Sequence, residues 1–220
     1  MPETARTKRG GSARVRGGRR WMDEHVADPY VRQARQSGYR SRAAYKLLDL
    51  DQRYGLLRAG HRVVDLGAAP GSWSQVALAK VGRRGVVVAV DLLPMEPIPG
   101  VTFIHGDIRD PQVQDGLAVH LRKGDVDLVL SDMAPNVSGV ASADAARAAE
   151  LVATAVDFAG NYLSPVGSLV VKVFHGAGFE ESLGLLRARF KTVSVRKPAA
   201  SRDRSPEAYV VAVAPRSVPA

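Results

Sequence analysis

The sequence predicts an α/β fold, an open and mostly parallel β-sheet with helices on both faces. Two observations carry this reading. From residue 61 onward, short runs rich in Val, Ile and Leu alternate with helical stretches, the pattern of βαβ units. The first run enters a glycine-containing turn, "VVDLGAAPGSW", and the second ends in an acid, Asp91. A turn of that kind after a first strand, with such an acid, is the general signature of a site for a nucleoside-containing cofactor. A length of 220 residues suits one domain with a substantial core.

Residues 1–20 hold seven basic residues, one acid and four glycines with few apolar residues, and are expected to be a disordered basic arm. Their composition fits a solvated tail and a nucleic-acid contact equally. A single domain is expected over 21–214, followed by a short tail at 215–220. Residues 21–57 look helical, with Arg42 and Lys46 on one face at i, i+4. Strands are expected at 62–67, 85–91, 101–107, 125–132 and 168–174, and two more near 191–197 and 208–214. Helices are expected at 73–82, 111–122, about 142–163 and about 178–189. Ligands of such sheets bind beyond the carboxyl ends of the strands, near the point where strand order reverses.

Charge and composition narrow the function. The net charge is +9, yet residues 1–20 account for +6, 21–46 for +2 and 191–220 for +4, which leaves the intervening residues at −3. Basic ends around a mildly acidic middle suggest a catalytic core with an approach surface for a polyanion. The absence of cysteine excludes disulfides, thiolate metal sites and cysteine nucleophiles. No apolar run reaches the ~18 residues of a membrane span, and no metal site is expected. A cytoplasmic address is expected.

The first turn departs from a dinucleotide fingerprint. Gly67-Ala-Ala-Pro-Gly71 is not G-x-G-x-x-G, and Pro70 removes an N–H that a pyrophosphate would need. This disfavours an NAD-dependent oxidoreductase. Asp65 would repel a phosphate and would suit the ammonium of a methionine moiety. S-adenosylmethionine has that ammonium, a sulfonium and no phosphate. Asp91 is placed for ribose hydroxyls, and Asp107, in "HGDIRD", for an adenine amino group.

The fourth strand ends in "SDMAP", 131–135. Enzymes that methylate exocyclic base nitrogens place an aromatic here to stack on a flipped base, and this chain has Met133 and Ala134. Pyrimidine C5 methylation needs a cysteine. An oxygen acceptor is the better candidate. A ribose 2′-hydroxyl is a weak acid and benefits from a general base and from nearby cations. In "GSLVVKVFHG", 167–176, Lys172 interrupts an apolar run where an unpaired ammonium would be costly. If the fourth and fifth strands are neighbours, Lys172 lies beside Asp132. Lys46 would supply a second cation and Glu207, in "SRDRSPEAY", would orient an ammonium.

Together "RSRAAYKL", "VVDLGAAPGSWSQ", "DLLPM", "GDIRD", "SDMAPNVSG", "VVKVFHG" and "SRDRSPEAY" closely resemble the FtsJ/RrmJ family of ribose 2′-O-methyltransferases, over about residues 20–214. The resemblance implies a class I S-adenosylmethionine-dependent methyltransferase fold with a seven-stranded sheet whose last strand is antiparallel. It implies a Lys46, Asp132, Lys172, Glu207 tetrad with Lys172 as proton acceptor, and cofactor contacts at Gly71, Trp73, Asp91, Asp107 and Asp132. Its bacterial branch implies a uridine of large-subunit (23S) ribosomal RNA as acceptor, and a monomer is expected. Other readings are a tRNA or mRNA-cap ribose methyltransferase and a non-catalytic RNA-binding assembly factor, the latter at odds with a filled tetrad. Ser72 stands where the family usually has a second glycine, and serine keeps the backbone N–H.

Overall fold

The structure is a computed structural model and describes residues 28–216; the expected basic arm at 1–20 and most of the tail lie outside them. The expected helical region 21–57 is, in its described part, two helices. The first, α1, spans Pro29–Gln36, with Asp28 accepting from the Tyr30 N–H as N-cap and Pro29 in the first turn. The second, α2, spans Ala44–Tyr54 and ends at Gly55 in the left-handed conformation. Between them, Gly38 with φ 75° turns the chain. Arg42 therefore precedes α2 rather than sharing a helical face with Lys46.

The sheet is built from β1 (Arg62–Leu66), β2 (Val86–Asp91), β3 (Val101–His105), β4 (Val126–Ser131), β5 (Leu163–Phe174), β6 (Phe190–Arg196) and β7 (Glu207–Pro215). Their order is β3-β2-β1-β4-β5-β7-β6. The strands from β3 to β5 pair in parallel, and β7 runs antiparallel to both β5 and β6. This is the expected seven-stranded arrangement. The order reverses between β1 and β4, so the crevice opens beyond their carboxyl ends.

The crossover helices are α3 (Ser72–Val81), α4 (Pro111–Ala118), α5 (Ala141–Tyr162) and α6 (Phe179–Arg189). Strand alternation sends side chains to two cores. Val63, Leu128, Leu130, Val170 and Val211 pack with Leu47 and Leu50 of α2 and with Trp73, Val76 and Ala77 of α3. Val64, Leu66, Val129, Leu169 and Val171 pack with Val152 and Val156 of α5 and Leu183 and Leu186 of α6. Two boundaries differ from expectation by more than two residues. The first is α4, which ends at Ala118 rather than 122, and the chain turns through Gly124 at φ 76°. The second is β5, which begins at Leu163 directly after α5; Leu163 pairs with Val126, and the register shifts before Ser168 meets Leu128.

Candidate active site

Neighbouring strands bring the predicted polar residues together. Ser131 of β4 is level with Val171 of β5, so Asp132 and Lys172 emerge side by side. The Lys172 Nζ lies 2.6 Å from Asp132 Oδ1 and donates to the Asp132 carbonyl at 2.9 Å. On the other flank of β5, Lys172 faces Tyr209 and Phe174 faces Glu207 across the antiparallel pair. The Tyr209 hydroxyl donates to Asp132 Oδ1 at 2.6 Å and accepts from Lys46 Nζ at 3.1 Å. Lys46, projecting from α2, also pairs with Glu207 at 2.7 Å. The result is a continuous chain Lys172–Asp132–Tyr209–Lys46–Glu207, in which two ammonium groups balance two carboxylates.

The chain is largely shielded from water, which is why each charge needs its partner. Burial, aided by the charges of Asp132 and Glu207, pushes the Tyr209 phenol well above its ordinary range. Tyr209 therefore stays protonated and serves as a donor to Asp132. Its ring lies 5.5 Å from that of Trp73 and fixes the network against the core.

A cavity of about 360 Å³ opens beyond the ends of β1, β2 and β4. Gly67, Asp91, Asp107, Asp132 and Met133 line it, with Leu92 and Leu93 as an apolar wall. Asp91 accepts from the Ala69 N–H at 2.8 Å and from the Leu93 N–H at 2.7 Å, so one carboxylate secures two loops. Asp107 sits 2.7 Å from Arg109, whose guanidinium holds its carboxyl below the usual carboxylate range. At Gly67, φ is 75° and a Cβ would lie 2.7 Å from Met133 Cγ, so only glycine lets the turn approach the end of β4. A concave site with two carboxylates toward one end and Asp132 at the other suits a cationic nucleoside.

A second cavity, about 610 Å³, lies on the far side of Lys172. Ala134, Pro135, Phe174 and His175 wall it, and Lys172, Glu207 and Asp144 contribute its charge. His175 lies over Phe179, ring centroids 4.4 Å apart. The Asp132–Lys172 pair stands where the two cavities adjoin.

Four candidate site residues, Asp65, Gly71, Trp73 and Lys46, line neither cavity. Asp65 does not reach a ligand: it is fully buried, and its Oδ2 accepts from Ser74 Oγ at 2.6 Å. Alternation along β1 turns it toward α3, on the side of Val63. Trp73 is likewise turned inward; its indole N–H donates to the Ala43 carbonyl at 2.7 Å, so any cofactor contact it makes is through its main chain. Neither it nor Gly71 lines the first cavity. Lys46 lines neither cavity and stands behind Glu207 and Tyr209. Tyr209 and Arg40, the latter donating to the carbonyls of Pro70, Glu96 and Pro97, were not anticipated. For Tyr209 the signal was present, since period-2 alternation places it on the face of Glu207.

Comparison with known proteins places this geometry. The signature of the family described as FtsJ-like methyltransferase matches residues 39–214. The chain is 54% identical over 198 residues to ribosomal RNA large subunit methyltransferase E of Thiobacillus denitrificans, covering 90% of each chain. It is 52% identical over 200 residues to the protein of that name in Marinobacter nauticus, covering 91% of this chain and 97% of that one. The crystal structure of a ribosomal RNA methyltransferase from Plasmodium falciparum superposes with a TM-score of 0.70 at 31% identity, over 80% of this chain and 98% of that chain. Fibrillarin of Aeropyrum pernix, solved with S-adenosyl-L-methionine bound, superposes with a TM-score of 0.57 at 19% identity, over 80% and 75% of the chains, and shows the fold alone.

Proposed function

We propose that this chain, which belongs to the FtsJ-like methyltransferase family, methylates the ribose 2′-hydroxyl of a uridine in large-subunit (23S) ribosomal RNA. The family is S-adenosylmethionine-dependent, and the cofactor supplies an electrophilic methyl group. The observation that carries the reading is the Lys172–Asp132 pair, 2.6 Å apart, at the junction of a nucleoside-sized cavity and an open groove. Relatives half identical to this chain bear the name of a large-subunit rRNA methyltransferase.

In this reading the acceptor nucleotide enters the groove walled by Pro135, Phe174 and His175. Lys172 takes or relays the hydroxyl proton, its Nζ giving up one of its own protons to solvent as it does so, and Asp132, held by both Lys172 and Tyr209, fixes the direction of that group. Lys46 secures Glu207 and Tyr209 and keeps the far end of the network charged. Asp91 and Asp107 hold the nucleoside of the cofactor. The enzyme is read as a cytoplasmic monomer.

The test is to incubate the protein with labelled S-adenosylmethionine and, separately, 23S rRNA, assembled large subunits and tRNA, and to map the modified nucleotide. A 2′-O-methyluridine in large-subunit RNA is expected. Label on a base, or in tRNA alone, overturns the substrate assignment.

A further inference from the structure

Arg40 lies in the turn between α1 and α2, away from the Lys172–Asp132 pair, and its half-buried side chain reaches the turn after β1. One of its terminal nitrogens, Nη1, donates to the Pro70 carbonyl at 2.8 Å and to the Glu96 carbonyl at 2.6 Å. The other, Nη2, donates to the Pro97 carbonyl at 3.0 Å. One planar group thus ties the glycine turn after β1 to the loop after β2, the two segments that border the first cavity. A lysine offers a point charge and cannot match three carbonyls with a fixed fork.

The base of this clamp is itself anchored. The Arg40 N–H donates to Gln75 Oε1 at 2.9 Å, and Gln75 Nε2 donates back to the Gly38 carbonyl at 3.0 Å. The Ser41 and Ser72 hydroxyls are 2.7 Å apart. Ser72, the departure from the usual glycine, therefore adds a contact to this segment. The fit is close: a Cβ on Gly71 would lie 3.0 Å from Arg40 Nη1 and 2.8 Å from both Met95 Sδ and Ile98 Cδ1. The same segment continues into α2, which carries Lys46.

We propose that Arg40 is a positioning residue for cofactor binding, holding the 69–71 turn and the 96–97 loop in the conformation that accepts S-adenosylmethionine. The proposal rests on the reading of the first cavity as the cofactor site. Its rival is a phosphate contact, the usual task of an arginine on an approach surface.

The experiment is calorimetric titration of S-adenosylmethionine into wild type, Arg40→Ala and Arg40→Lys, without RNA, alongside rRNA binding without cofactor and thermal melting. Arg40→Ala is expected to weaken cofactor binding about tenfold, and to raise KM for the cofactor with kcat at saturation retained. Arg40→Lys should recover part of the loss, and rRNA affinity should stay at the wild-type value. Cofactor affinity unchanged in Arg40→Ala, or a loss confined to rRNA binding, overturns the proposal. If Arg40→Ala does not fold, Arg40→Lys decides, since its fork is lost while its charge remains. Wild type that binds no S-adenosylmethionine overturns the reading of the cavity itself.

Discussion

Lys172 would be a costly residue in the apolar run of β5 were Asp132 not 2.6 Å away. Its carboxylate partner and its position between two cavities make it the group whose loss should remove chemistry and little else. Lys172→Ala is expected to lower kcat by about a hundredfold or more, the range for a lost general base, with the calorimetric affinity for S-adenosylmethionine kept. Turnover near wild type would remove Lys172 from the proton path. Asp65 makes the opposite case, a charge with a cost. Burial pushes its carboxyl up to about 7, with Asp132 and Asp91 adding to the shift. A folded-state value above the unfolded one means that the native protein binds the extra proton, so stability falls as pH rises from about 4 to about 7 and stays low above that. Over that interval the loss amounts to about 4 kcal/mol. Asp65→Asn keeps an acceptor for Ser74 and removes the titration. Its urea midpoint relative to wild type should therefore rise between about pH 4 and pH 7 and level off above that; a difference independent of pH would refute the assignment.

At the scale of elements, the sheet was legible because parallel strands buried on both faces read as nearly continuous apolar runs. The Asp132–Lys172 contact was legible for the same reason, once β4 and β5 were neighbours. Other features depend on what packs against an element. The inward turn of Trp73 depends on the Ala43 carbonyl thirty residues earlier, and the Arg40 clamp on carbonyls more than fifty residues later. Neither has a local pattern. Breaks such as Gly38 between α1 and α2 hide inside a stretch whose other residues all tolerate a helix. The turn after β1 yields a prediction with an internal control. Gly67→Ala places a methyl group against the main chain and side chain of Met133 at φ 75°, and should cost about 1–3 kcal/mol while weakening cofactor binding. Gly55→Ala, at φ 63° with no atom within 4 Å, should cost only about 1 kcal/mol and leave cofactor affinity intact. Urea unfolding and calorimetry on both variants separate backbone strain from the closing of the cavity.

For the whole molecule, the fold brings basic segments distant in sequence to one side. Arg42 pairs with Asp28 and donates to the Ala200 carbonyl, while Arg202 approaches Asp28 at 3.8 Å. Arg196 approaches Asp49 of α2 at 3.9 Å. The 196–204 loop is thereby docked on the N-terminal helices beside the start of β7, where Glu207 enters the network. Residues 1–20 add a further charge of +6 to the chain ahead of α1. If that charge meets the RNA, it displaces counterions, and the slope of log K against log salt steepens by about 0.7 for each phosphate neutralised on a single strand. Deleting residues 1–20 should then flatten the slope for rRNA binding by about two or more, while cofactor affinity measured at the same salt concentrations stays at wild type. Equal slopes for the full and shortened chains would make residues 1–20 a solvated tail and leave the approach surface to α1, α2 and the 196–204 loop. The slope discriminates where affinity alone does not, because losing a phosphate contact changes the salt dependence, whereas a small loss of stability lowers affinity without changing it.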